Sequence, residues 1–402
     1  MLPQPFGEGF AEDPYGVYAR LRAQGSVHRV ALPEGVPVWL VTHEADVRAG
    51  LADGRFSVDK RHSRGGFQGF SLPPALDANL LNIGPEDHLR LRRLVGQGFT
   101  PRHVEGMRTA VQAAVDALVD RFTARLEADG VADVVDGFAR PLPLKVIGDL
   151  LAVPEGEYGR FAGWIGSMLL PGSREELAGA VRSVHAYLVE LVAARRAAPG
   201  DDVLSGLIAA RDSGDRLSED ELVSLAFLIL MAGSETVQHL ISGGLLTLLT
   251  HGEQRAALRE RPGLLPEAVE ELFRYAVPNH TAIRRFPTEP VECIRDRVEI
   301  GGVRIPAGDT VMFSIASAHR DPARYPDPDR FDIGRADKAH LALGHGVHYC
   351  LGAPLARTQV TLALGTLLRR LPELRLAVPA DGLEWSTTFR FRALRALPVT
   401  GA

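Results

Sequence analysis

Cys350 lies in Leu343-Gly-His-Gly-Val-His-Tyr-Cys350-Leu-Gly-Ala-Pro-Leu-Ala-Arg357, between a glycine-punctuated loop and an apolar helical run. A thiolate at such a junction meets the free N–H groups and the positive dipole end of the helix that follows. Both effects lower a thiol pKa and poise it as a ligand or nucleophile. Gly344, Gly346 and Gly352 supply unusual dihedrals and let something flat and large approach the backbone. Three chemistries compete for the cysteine. It is an inert core residue, as most lone cysteines are, a zinc ligand beside His345 and His348, or an axial thiolate to haem iron. Zinc fits the spacing poorly, because both histidines share one short loop and the only other cysteine, Cys293, has no CxxC partner.

Further constellations precede it. Ser218-Glu-Asp-Glu221 reads as a capping box opening a long helix, with Leu222, Leu225, Ala226, Ile229 and Leu230 at helical spacing. The apolar pattern breaks at Ala232-Gly-Ser-Glu-Thr236. An acid and an alcohol inside a buried helix are costly unless used or hydrogen-bonded. Gly233 weakens the helix by about 1 kcal/mol against Ala. The segment is either a kink with a solvated Glu235 or a proton-delivery pair, Glu235 and Thr236, beside a widened groove. Glu271 and Arg274 stand at i,i+3, and His88 and Arg92 at i,i+4 on a helix that Pro85 opens, so each pair shares a face.

The cysteine segment resembles the haem-binding signature of the cytochrome P450 family, Phe-Gly-x-Gly-x-His-x-Cys-x-Gly. Gly344, Gly346, His348, Cys350 and Gly352 match, and Leu343 stands where Phe is usual. The resemblance implies haem b with Cys350 as the axial iron ligand. Leu343, Gly344 and Gly352 would frame it, and the Leu343 change would alter the thiolate environment without removing a ligand. His88, Arg92, Arg285 and His348 match the positions that meet the two haem propionates. Ala232-Gly-Ser-Glu-Thr236 resembles the family's Ala-Gly-x-Glu/Asp-Thr motif. There Thr236 would hydrogen-bond the dioxygen and Glu235 relay protons, which implies an O2-using monooxygenase. Glu271 and Arg274 match the Glu-x-x-Arg signature. Arg330, in Pro326-Asp-Pro-Asp-Arg330-Phe331, is expected to complete a buried triad that holds the cysteine loop.

Positions matching family substrate contacts are Leu80, Leu81, Ile83, Ala232, Thr236, Ala282, Ile283 and Phe391. Most are apolar, which implies a sizeable hydrophobic substrate. The chain is most similar to bacterial enzymes that hydroxylate or epoxidise macrolides and other polyketides. One departure is Val291–Glu299, longer than expected and read as an extended surface hairpin. No flavin or iron–sulfur motif is present, so electrons would come from a ferredoxin and ferredoxin reductase. Arg90, Arg93 and Arg357 are expected to attract the acidic ferredoxin. Oxidative coupling or desaturation on the same scaffold remains an alternative, as does a non-catalytic haem-binding or recruitment protein.

The elements that must position these residues are mostly helical. The chain has 402 residues, 46% apolar and 24% charged, and a net charge of -5, a soluble globular composition with no global reason to bind nucleic acid. Two unrelated cysteines exclude a disulfide framework and fit a reducing cytosol. The N-terminus has no basic or apolar targeting region. The longest strongly apolar run, Leu222 to Ala232, is too short for the roughly 20 residues of a membrane span. A cytoplasmic protein without membrane contact is expected. Helical periodicity dominates from Pro85 to Ala276, with strands at Val38–Thr42, Val298–Ile305 and Thr310–Phe313. Ser173-Arg-Glu-Glu176 reads as a further capping box, starting the second helix of a lid. The expectation is one mainly helical domain over residues 1–402 with a small β region, in agreement with the cytochrome P450 fold.

Overall fold

The computed structural model describes residues 2–67, 72–212, 217–291 and 303–401. One helix organises it. The Ser218 hydroxyl accepts from the Glu221 N–H at 3.1 Å, and the Glu221 carboxylate accepts from the Ser218 N–H at 2.8 Å. From this closed capping box the helix Glu219–Thr250 runs unbroken for 32 residues, roughly 48 Å at the standard rise. Every residue from Leu222 to Leu230 is buried, so the helix is apolar on all sides and sits in the core instead of on a surface.

Pro141–Leu150 and the cysteine helix Ala353–Arg370 pack on this central helix, and Pro101–Asp129 packs on both of them, all joined in one hydrophobic cluster. Gly233 serves that packing. A Cβ there would stand 2.6 Å from Ile147 Cδ1, so the glycine admits the neighbouring helix. By length and composition the central helix and Arg174–Ala197 could each cross a membrane. This exceeds what the run Leu222 to Ala232 suggested, and the burial of the central helix accounts for its apolarity. Ser173 caps Arg174–Ala197 by accepting the Glu176 N–H, whereas the Glu176 carboxylate takes the Gly172 N–H.

The β region is small. Val27–Ala31 runs antiparallel to Pro37–Val41, which lies parallel to Val311–Phe313. These strands head a second hydrophobic cluster with the N-terminal aromatics. Two of the expected strands are therefore present. Of the third, residues 298–302 lie outside the described residues, and Ile305 forms an isolated bridge to Val291. The expected 291–299 hairpin and Cys293 likewise fall outside them, apart from Val291. Leu343 belongs to the helical core, Leu341 to the sheet core, and Ala342 packs on both. The cysteine loop thus starts at the seam between the two.

Candidate functional site

The loop is shaped by its glycines and by one histidine. Gly344 and Gly346 have φ of +75° and +71°, the left-handed region that only glycine enters cheaply. Gly346 also presses onto the helix Glu44–Ala52, where a Cβ would stand 2.9 Å from the Leu51 carbonyl oxygen. The Cys350 N–H closes the loop on the Leu343 carbonyl at 2.7 Å. His319 ties the strand side down, its Nδ1 against the Arg274 carbonyl at 2.9 Å and its Nε2 accepting the Leu341 N–H at 2.8 Å. Gly352 differs from its two partners. Its φ is an ordinary -81°, and no atom lies within 4 Å of where a Cβ would be.

The Cys350 thiol corrects the sequence expectation of a lowered pKa. Burial pushes it up, against the Gly352 N–H and the Arg92 and Arg357 charges. The helix end alone does not ionise it, so a cation ligated at sulfur would have to stabilise the thiolate. Among the described residues no group of three or more His, Cys, Asp and Glu converges as a metal cage, which removes the support for zinc.

Beside the loop, four basic groups gather. The rings of His88 and His348 stand 4.2 Å apart. Arg92 donates to the Tyr349 carbonyl at 2.6 Å, and Arg285 is buried. Burial first, then Arg92 and Arg285, push His88 down to about 4. Burial first, then Arg285, His88 and Arg92, push His348 down to about 3. Burial alone brings Arg285 down to about 10. His88 Nε2, His348 Nδ1 and Arg285 Nη1 are buried without a hydrogen-bond partner. No carboxylate is among the groups that shift them. The buried Arg285 guanidinium, with one nitrogen lacking an acceptor and no carboxylate near it, leaves room for an anion beside Arg92 and the two imidazoles. A haem with two carboxylates satisfies that demand, and the open side of Gly352 and the single cysteine suit the same group. The residues fit it.

The central helix opens toward solvent where the acid and alcohol lie. Leu230 and Ser234 are buried, but Ala232 between them is exposed and Glu235, Thr236 and His239 are half-buried. Glu235 is not a freely solvated acid at a kink. Its Oε2 lies 3.1 Å from His239 Nε2, one helical turn on, and the helix stays continuous. The His239 ring is parallel to Phe391, centroids 6.2 Å apart. Leu81, Ile83 and Ala282 are half-buried and Ile283 is exposed, leaving apolar surface uncovered. Leu80 is different: its side chain is in the helical core and only its carbonyl faces His348.

The ion triad forms with a different third member. Arg274 donates to Glu271 through Nε at 2.8 Å and Nη2 at 2.7 Å. Arg335 supplies the third contact, Nε to Glu271 Oε1 at 3.1 Å. Arg330 offers only its carbonyl, and its side chain is 64% exposed. The chain turns at Asp327, where φ is +46°, so Arg330 faces solvent and the next arginine turns inward. The partner-facing arginines also divide. Arg90 is bound to Glu221 and Asp87 and Arg357 to Glu270, whereas Arg93 is exposed. Sequence reasoning missed Arg335 and His239. The i,i+4 spacing of His239 to Glu235 was a usable signal.

Comparison with known proteins places these features in context. The family model described as Cytochrome P450 matches residues 263–375. Cytochrome P450 monooxygenase PikC of Streptomyces venezuelae is 45% identical, over 98% of this chain and 92% of the relative. Mycinamicin IV hydroxylase/epoxidase of Micromonospora griseorubida is 40% identical, over 98% and 97%. The tirandamycin C-bound P450 monooxygenase TamI superposes with a TM-score of 0.88 at 39% identity, covering all of both chains.

Proposed function

The chain belongs to the cytochrome P450 family, and from that premise we propose that it is a haem-thiolate monooxygenase inserting one oxygen atom of O2 into a hydrophobic, polyketide-like natural product. The cluster of basic groups beside Cys350, in which the buried Arg285 has a nitrogen without an acceptor, carries the cofactor part of this reading. Haem, when bound, supplies O2 activation at its iron. Cys350 would hold the iron through sulfur, and His88, Arg92, Arg285 and His348 would bind the two propionates. Arg suits this task because its planar fork meets both oxygens of a carboxylate. Glu235 and Thr236 would hold and move protons on a mid-helix stretch that is only partly buried. Leu81, Ile83, Ala232, Ala282, Ile283 and Phe391 supply apolar contact and exclude water. Glu271, Arg274 and Arg335 keep the segment leading to the cysteine loop in place.

The substrate class rests on the apolar lining and on relatives whose names specify mycinamicin and tirandamycin. P450 enzymes of this bacterial kind receive electrons from redox partners such as ferredoxin. For this chain we assign the docking charge to Arg93, with Arg90 and Arg357 secondary because each is already paired. The setting we propose is the bacterial cytoplasm. The test is a spectral titration of the purified ferric protein with mycinamicin IV, tirandamycin C, a terpene and a fatty acid. Displacement of iron-bound water shifts the Soret band. A saturable shift with the polyketides alone supports the substrate class, and a shift confined to terpene or fatty acid overturns it.

A further inference from the structure

A second network reaches the cysteine from the side away from His88 and Arg285. Arg357, on the cysteine helix, has its guanidinium filled on every edge. Nε and Nη2 donate to the two oxygens of Glu270 at 2.7 and 2.8 Å, and Nη1 donates to the Tyr349 hydroxyl at 3.1 Å. Tyr349 is the residue directly before Cys350. A fork on a carboxylate is the strong form of an ion pair. Glu270 comes from the helix Leu265–Tyr275, which also carries Glu271 and Arg274.

A third group fixes the acid. His340 Nε2 donates to Glu270 Oε2 at 3.2 Å, and His340 Nδ1 accepts the Ala342 N–H at 3.2 Å. Nδ1 is therefore the bare nitrogen, Nε2 carries the proton and the ring is neutral. Against burial, the Arg357 and His340 bonds hold the Glu270 carboxyl down at about 2. The network thus contains one cation, one anion and one neutral ring. Arg92 provides the contrast. It and Arg357 are the two cations that act on the Cys350 sulfur. Arg92 donates to the Tyr349 carbonyl and forms no ion pair among the described residues. One of the two cations is masked by an acid, and the other is left to the cofactor.

We propose that Glu270 is a positioning residue for the thiolate: by masking Arg357 it keeps the potential of an iron held at Cys350 below the value that Arg357 unmasked would set. A positive charge near the sulfur favours the state that has gained an electron, and a paired negative charge removes that advantage. Charge and hydrogen bonding around an axial ligand are the levers a protein has on such a potential. His340 and Tyr349 hold the geometry, and the Glu270–Arg357 pair sets the field.

The inference rests on the haem-thiolate reading. Its test is a spectroelectrochemical titration of the substrate-free, haem-loaded protein. Low ionic strength is used because Arg357 and Glu270 are 35% and 27% exposed and salt screens them. E270Q keeps the shape and removes the charge. Its potential is expected to rise and that of R357Q to fall, each by up to roughly tenfold in the reduction equilibrium, or about 59 mV for one electron. R357K keeps the charge, E270Q/R357Q loses both charges, and each is expected to stay close to wild type. E267Q removes an acid one turn earlier on the same helix, where it pairs with Lys338, and is expected to change nothing. An unmoved potential in E270Q overturns the proposal. So do shifts of the same sign in E270Q and R357Q, which mark a packing role. Where E270Q does not fold, R357Q against R357K decides. A wild-type protein whose reduced, CO-bound spectrum lacks the thiolate band removes the cofactor reading and this inference together. A thiolate band with unmoved potentials removes this inference alone.

Discussion

Two clusters of buried basic and charged groups, one around Glu271 and one around His348, differ in one respect. Around Glu271 every inward donor has an acceptor. Arg274 bonds Glu271 and the carbonyls of His319, Pro328 and Arg330, and Arg335 bonds Glu271 and the carbonyls of Pro326, Asp327 and Arg330. Around His348 three nitrogens are left without one, and no acid is present. Arginine and burial are common to both, so neither identifies function. The balance of charge does: a closed cluster is structure, and a buried guanidinium with no counter-ion describes the ligand that closes it.

The closed cluster breaks hardest. Glu271→Ala leaves Arg274 and Arg335 charged and unpaired in the interior, with an expected cost of about 3–5 kcal/mol, and reconstitution with haem should fail for lack of folded protein. Arg335→Ala should destabilise in the same direction, whereas Arg330→Ala should stay within about 0.5 kcal/mol of wild type. Chemical denaturation of the three variants decides between the arginines. Equal losses from Arg330→Ala and Arg335→Ala would undo the correction.

The open cluster should respond with the opposite sign. Arg285→Met removes a buried charge that nothing in the protein pairs, so the haem-free variant is expected to be as stable as wild type or more so. Haem retention should fall, by about 1.5–3 kcal/mol for a lost charge-assisted contact, or roughly tenfold to a hundredfold in transfer to apomyoglobin. Melting of the haem-free protein and the transfer rate are read on the same preparation. A variant that loses stability without haem and keeps its haem would make this cluster structural, and the contrast would collapse.

Much of this was written in the chain. The glycine-framed cysteine, the Ser218–Glu221 box and the Glu271–Arg274 pair depend on spacing within a few residues, and spacing survives folding. What the sequence hid depends on how distant segments approach. The choice of Arg335 over Arg330 follows from a turn at Asp327. Gly233 looked like a weak point because Ile147, which fills its missing side chain, is remote in sequence. The thiol of Cys350 was expected to be acidic from its helix end, but burial, a property of the packed core, outweighs that effect. His239 was overlooked because a histidine on a helix carries no motif until its partner four residues back is seen to face it.

A third site separates the two clusters' lesson from mere burial. His280 is fully buried among Phe10, Tyr15 and Tyr18, and both ring nitrogens lack a partner. Yet it is a single neutral ring with one cation, Arg392, acting on it, and so it describes no ligand. Burial first and Arg392 second push it from 6.5 down to about 3. The unfolded chain therefore takes up a proton at His280 at a pH where the folded protein does not. Its stabilisation is present above about pH 6.5 and is lost as pH falls toward 3, at about 1.4 kcal/mol per pH unit. His280→Phe keeps the ring contacts and removes the proton. At neutral pH its stability should match or slightly exceed wild type. Between about pH 6 and 4 its stability should fall less steeply, by one proton's worth of slope. Denaturation midpoints across that range test this, and parallel slopes would mean that His280 finds a partner in solution and belongs with the clusters that close.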